Sequence, residues 1–203
     1  MAGFLSYPDL ERVAIKAPKT VPKITKTYTL RDFLEASAQK KGETRQVDEY
    51  FSPAHRDFVA TRPAVEWLRL RKSGDKASIN FKYFHFDDKG NSQYCDEYET
   101  SVGDEQQMQK MFAALDVKSL VVVDKTRTIY QYEDFEVSLD QVEGLGDFVE
   151  VEYKGKAGAE EAGKITDSMV AFLKQHGVGK IQRNYVGYPF QLLFPGEFEL
   201  EDY

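Results

Sequence analysis

The sequence predicts an α+β fold, a β-sandwich or barrel of many short strands with helices added outside it. Three observations lead there. Runs rich in Val, Tyr, Phe and Thr recur along the chain, separated by turn-forming residues. Longer stretches near 30–41, 104–115 and 160–176 carry apolar residues at helical spacing. On several strand-like runs the charges fall on alternate positions, which places them on one face.

Composition sets the outer limits. A chain of 203 residues suits one domain, and a hydrophobic fraction of 41% is enough for a sizeable core. Charged residues reach 30%, above the ordinary share of about 25%. The 14 Phe and 12 Tyr favour strands. A net charge of −7 and a pI near 5.1 argue against general nucleic-acid binding, so no DNA partner is expected. A locally basic pocket inside an acidic protein stays open. The single Cys95 excludes an intrachain disulfide framework and a cysteine zinc site. A reducing, cytoplasmic location is expected. No run approaches the roughly 18 consecutive apolar residues of a membrane span. The start, MAGFLSYPDLERVAIK, lacks the basic-then-apolar order of a signal peptide.

The elements follow in order. Residues 11–17 form a short strand, and 16–26, with Pro18 and Pro22 among four lysines, form a loop. The first helix is capped by Thr29 with Asp32 three residues on, turns Leu30, Phe33, Leu34 and Ala38 inward, and stops at Gly42. The second is capped by Asp104, with Met108, Met111, Phe112 and Leu115 as its stripe. The third places Ile165, Met169, Phe172 and Leu173 inward and ends at Gly177. Further strands are expected at 45–51, 64–72, 77–86, 93–102, 119–131, 134–140, 147–153 and 181–186. Ser73-Gly74-Asp75, Asp88-Lys89-Gly90-Asn91 and Gly144-Leu145-Gly146 mark turns. The closing EFELEDY reads as an acidic tail.

Residues two apart on a strand point the same way. Arg69 and Arg71 share a face, as do Glu97 with Glu99, Lys125 with Arg127, Glu136 with Asp140, and Glu150 with Glu152. Solvated outer faces of an antiparallel sheet explain such alternation ordinarily. The sorting of basic pairs and acidic pairs onto different strands suggests more. If helices cover the apolar faces, the charged faces turn inward. Guanidinium forks bind phosphate oxygens bidentately. Carboxylates beside them would repel a polyphosphate unless a hard cation such as Mg²⁺ or Mn²⁺ bridged the two.

The run Val123-Asp124-Lys125-Thr126-Arg127, followed by EVSLDQVEGLGDFVEVE over 136–152, resembles the CYTH domain of the triphosphate tunnel metalloenzymes, in its class IV adenylate cyclase branch. Asp48-Glu-Tyr-Phe51, Trp67-Leu-Arg-Leu-Arg71, Phe81-Lys-Tyr83, Glu97-Tyr-Glu99 and Arg183-Asn-Tyr-Val186 follow in a matching order. The likeness implies one domain over 1–203, with a core at about 11–186 and a C-terminal tail at 187–203. It implies a closed eight-stranded antiparallel barrel that binds a triphosphate with Mg²⁺ or Mn²⁺. The activity implied is cyclisation of ATP to cyclic AMP and pyrophosphate. Hydrolysis of tripolyphosphate, thiamine triphosphate or a nucleoside triphosphate is the alternative, and a weakened binding protein the third reading. Lys16, Arg69, Arg71, Lys82, Lys125, Arg127 and Arg183 would bind phosphate. Asp140, Glu150, Glu152, Glu97 and Glu99 would bind metal, and Asp140 and Lys16 would be catalytic. A homodimer is allowed. Two departures stand out. The family's Glu-x-Glu-x-Lys motif reads Arg12-Val-Ala14-Ile-Lys16 here, and Cys95 stands where the family often has arginine.

Overall fold

The computed structural model describes residues 29–62, 64–86, 92–156, 162–178, 181–183, 187–198 and 201–202, with the backbone of 13–16. The order is β1 (Val13–Lys16), α1 (Leu30–Ser37), β2 (Gln39–Pro53), β3 (Glu66–Ser73), β4 (Lys76–Phe86), β5 (Ser92–Val102), α2 (Glu105–Ala114), β6 (Val117–Tyr132), β7 (Phe135–Val142), β8 (Gly146–Tyr153), α3 (Ala162–Gln175), β9 (Gln182–Arg183), α4 (Gly187–Leu193) and β10 (Glu201–Asp202). The fold is α+β. The main sheet runs β1-β8-β7-β6-β2-β3-β4-β5, and β9 pairs with β10 apart from it. The β1–β8, β2–β3, β3–β4, β4–β5 and β7–β8 pairs are antiparallel.

The described strands do not close the eight-stranded barrel that the resemblance implies. The strand order is open, with β1 and β5 at its ends and no pairing between them among the described residues. β1 offers only four residues, and all four are in register with β8.

The chain divides into two compact units. One holds 45–125 and the helix and turn at 187–198; the other holds 13–16, 29–44, 126–183 and 201–202. In the first unit α2 covers an apolar strand face. Its Phe112 and Met108 pack with Phe51, Leu68, Leu70, Ile79 and Val102. Met111 and Leu115, expected on the same stripe, are 53% and 73% exposed instead. The stripe that reaches the sheet is narrower than the sequence suggested. Asp104 caps α2 by accepting from the Gln107 N–H at 3.0 Å.

In the second unit α1 and α3 pack on Tyr130, Val137, Leu139, Val149 and Val151 through Leu30, Leu34, Ile165, Met169, Phe172 and Leu173. Thr29 and Asp32 form the expected capping box, with bonds of 3.0 and 3.2 Å in the two directions. α1 ends at Ser37, short of the expected 41, because the next positions on its apolar face are Lys41 and Gly42. The backbone turns extended at Ala38 and joins β2. The tight β3–β4 and β7–β8 turns use Gly74 and Gly144 at positive φ, where a side chain would be strained.

α4 was not expected. Phe190 is buried against Ala64 and Trp67, with Leu193 and Phe194 packed alongside. The i, i+3, i+4 spacing of Phe190, Leu193 and Phe194 carries the signal, but Pro189 masks it. The strand expected at 181–186 is described only at Gln182–Arg183, which pairs with Glu201–Asp202 inside the stretch read as an acidic tail.

Candidate functional site: two charged strand faces

Helices on the apolar faces leave the charged residues together on the opposite ones. In the first unit the registers set out rows across β2 to β5. Asp48 faces Arg71, and Arg71 faces Ser78. Tyr50 faces Arg69, Arg69 faces Asn80, and Asn80 faces Glu99. Trp67 faces Lys82, and Lys82 faces Glu97.

Asp48 is the centre of this face, only 2% exposed. It accepts from Arg71 Nε and Nη2, each at 2.6 Å, in a side-on bidentate fork. Arg69 Nη1 lies 3.9 Å from the same carboxylate. Burial alone would raise the Asp48 pKa. The Arg71 hydrogen bonds and the charges of Arg71, Arg69 and Lys125 outweigh it and hold the carboxyl below its usual range. Desolvation and then the Asp48 charge push the Tyr50 phenol up. Buried Arg69 Nε has no hydrogen-bond partner among the described residues, which is costly for a guanidinium nitrogen. Buried Lys125 lies 5.1 Å from the ring centre of Tyr188 on α4. Lys82 Nζ pairs with Glu97 at 3.0 Å, and Asn80 Nδ2 donates to Glu97 at 2.7 Å and to Glu99 at 3.4 Å.

The second unit has the complementary arrangement. Arg127 donates from Nε and Nη2 to Asp140 at 2.7 and 2.6 Å. Its Nη2 also donates to Glu150 at 2.5 Å. Glu136, Ser138 and Asp140 on β7 face Glu152, Glu150 and Phe148 on β8. Glu152 pairs instead with Lys154 at 2.6 Å. Position 14 of β1 lies opposite Glu150, and Lys16 opposite Phe148. Ala14, where the resemblance expects a glutamate, is thus in register with Glu150. Arg12 and the side chains of Lys16 and Arg183 lie outside the described residues.

The structure therefore brings Arg69, Arg71 and Lys125 together on Asp48, Lys82 with Glu97, and Asp140 with Glu150 on Arg127. It does not bring Glu152 into the Arg127 group, since that carboxylate is drawn to Lys154. Asp48 had no assigned role. Asp48 and Tyr50 at period two, opposite Arg71 and Arg69, are the signal that could have found it.

The implied metal can be tested against the donors. No three His, Cys, Asp or Glu side chains form a metal-holding group among the described residues. Asp140 and Glu150, on one guanidinium nitrogen, offer two hard oxygen donors. Mg²⁺ is often bound through one or two carboxylates, with substrate phosphates and water filling its shell. The pair fits that pattern.

A family model for the CYTH domain matches residues 12–185. The chain belongs to the CYTH domain family. A Methanocaldococcus jannaschii protein whose name reads "putative adenylate cyclase" is 33% identical over 144 residues, covering 70% of this CYTH chain and 79% of that protein. A solved Pyrococcus horikoshii structure is 25% identical with a TM-score of 0.61, covering 81% of this chain and 89% of its own. A second from that organism gives 23% identity and a TM-score of 0.66, with 88% and 94% covered. The latter likeness shows the CYTH fold alone. No helix among the described residues is long and apolar enough to cross a membrane.

Proposed function

We propose that this CYTH protein is a divalent-metal-dependent enzyme acting on a triphosphate, in the manner of a class IV adenylate cyclase. The observation that carries the proposal is the cationic face of the first unit. Arg69, Arg71 and Lys125 gather there on one buried carboxylate, and Arg69 Nε has no partner among the described residues. Such a group suits phosphate oxygens better than any neutral ligand.

In this reading Arg69, Arg71, Lys82 and Lys125 bind phosphate oxygens, with Arg127 and the sequence-inferred Lys16 and Arg183 as further contacts. Asp140 and Glu150 would hold Mg²⁺ or Mn²⁺, with Glu152, Glu97 and Glu99 as further candidate ligands. The metal, when bound, would supply charge to the phosphoryl oxygens. For ATP the ribose 3′-oxygen bonds to the α-phosphorus in line, and the bond from that phosphorus to the β-bridging oxygen breaks. Pyrophosphate leaves with the electron pair. The hydroxyl proton passes to a carboxylate or to water. Asp140, with the sequence-inferred Lys16, is the proposed catalytic candidate. The cationic side chains neutralise the leaving pyrophosphate. The name of the Methanocaldococcus relative supports the cyclase form.

A second reading has its own observation. Ala14 opposite Glu150 removes a carboxylate that the family carries, which favours a triphosphatase with altered metal use or a weakened polyphosphate-binding protein. A cytoplasmic, one-domain, homodimer-competent protein is part of the same proposal. Incubation of the full chain with Mg²⁺ or Mn²⁺ and ATP, tripolyphosphate or thiamine triphosphate separates the forms. Cyclic AMP with pyrophosphate marks the cyclase, and free phosphate marks the hydrolase. No turnover and no binding of any of the three would defeat the proposal.

A further inference from the structure

We infer that Asp48 is a positioning residue for triphosphate binding, a buried carboxylate that locks the Arg71 guanidinium side-on and keeps Arg69 and Lys125 beside it. The inference rests on the triphosphate reading above and adds a residue to it.

Three features lead there. The fork is bidentate, with both contacts at 2.6 Å, so it fixes the guanidinium plane as well as its place. Arginine otherwise carries much rotamer freedom, which a ligand would have to remove on binding. Cations crowded on one face repel each other, and a carboxylate between them relieves that repulsion. The hydrogen bonds and charges around Asp48 keep it ionised at neutral pH despite its burial. A purely structural role explains less, because a buried ion pair adds little stability over apolar side chains of similar volume. The same fork recurs on the surface of the same unit, where Arg45 Nε donates to Asp124 at 2.9 Å. Arg45 is 70% exposed there, so that pair serves as an internal control.

The test is calorimetric titration of the full chain with tripolyphosphate in Mg²⁺. Asp48→Asn is expected to weaken binding about tenfold, and Arg71→Ala at least as much. The double variant should bind no more weakly than Arg71→Ala, since one residue acts through the other. Asp48→Glu should recover part of the loss, and Asp124→Asn should bind like the wild type. Wild-type affinity in Asp48→Asn, or losses that multiply in the double variant, would overturn the inference while leaving the triphosphate reading in place. Absence of wild-type binding would overturn both. If Asp48→Asn does not fold by circular dichroism, the Arg71 Nε–H signal of the wild type decides by NMR. Slow solvent exchange before ligand is added supports the inference, and rapid exchange overturns it.

Discussion

The two units carry the same arginine–aspartate fork in opposite company. In the first, Arg71, Arg69 and Lys125 gather on Asp48. In the second, Asp140 and Glu150 gather on Arg127. Both central groups are well buried, Asp48 at 2% side-chain exposure and Arg127 at 14%. In the proposed reading the cation-rich group around a carboxylate would take phosphate, and the carboxylate-rich group around a guanidinium would take a hard cation. The fork itself is therefore no guide to function; the groups that share it are.

Removing the shared partner should hurt most where it strands the most charge. Arg127→Ala leaves two carboxylates without their common guanidinium and is expected to cost about 3–5 kcal/mol in urea unfolding. A loss below about 1 kcal/mol would break the comparison. Arg71→Ala should cost less, about 1–3 kcal/mol, because Asp48 keeps Arg69 and Lys125 nearby. The acid limb sharpens the contrast. The Asp48 carboxyl titrates below its usual 3.8 in the folded chain. Its contribution is thus fully present above that pH and is lost as pH falls through the lowered value. Asp48→Asn should remove this part of the acid sensitivity in unfolding curves taken below pH 3.8.

Smaller effects follow outside the forks. Burial, then the hydrogen bond to Glu35 and its charge, push the Tyr130 phenol up to about 12 from 10.0. The folded value is raised, so stability is present below pH 10 and declines as pH climbs towards 12. Tyrosinate absorbance should show Tyr50 and Tyr130 titrating late, and Tyr130→Phe should cost about 1 kcal/mol and remove one of these late phenols. Asp124→Asn breaks the exposed fork and should cost about 0–1 kcal/mol.

Much of this was legible because strand periodicity is strict. The alternation in Arg69–Arg71 and Glu150–Glu152, with Leu68–Leu70 and Val149–Val151 between, correctly placed helices on one face and charges on the other. Capping chemistry is local, so Thr29–Asp32 and Asp104 were readable too. Pairing choices were not. Which carboxylate a given arginine takes depends on register across strands far apart in sequence, so Asp48 received no role and Glu152 was grouped with Glu150 rather than with Lys154. Sheet closure is equally non-local, since it depends on pairings between strands far apart in the chain. α4 was hidden because Pro189 reads as a breaker, although proline is tolerated in a first helical turn.

Titration of tripolyphosphate into the wild-type chain and into Arg69→Ala bears most directly on the cationic face. Saturable binding in the wild type is expected, with affinity at least about tenfold weaker in the variant. The ligand-free melting temperature should fall somewhat, since Arg69 also lies 3.9 Å from buried Asp48, so affinity is compared at a temperature where both proteins are folded. Equal affinity in the two proteins, or no binding to the wild type, would contradict a triphosphate site on that face.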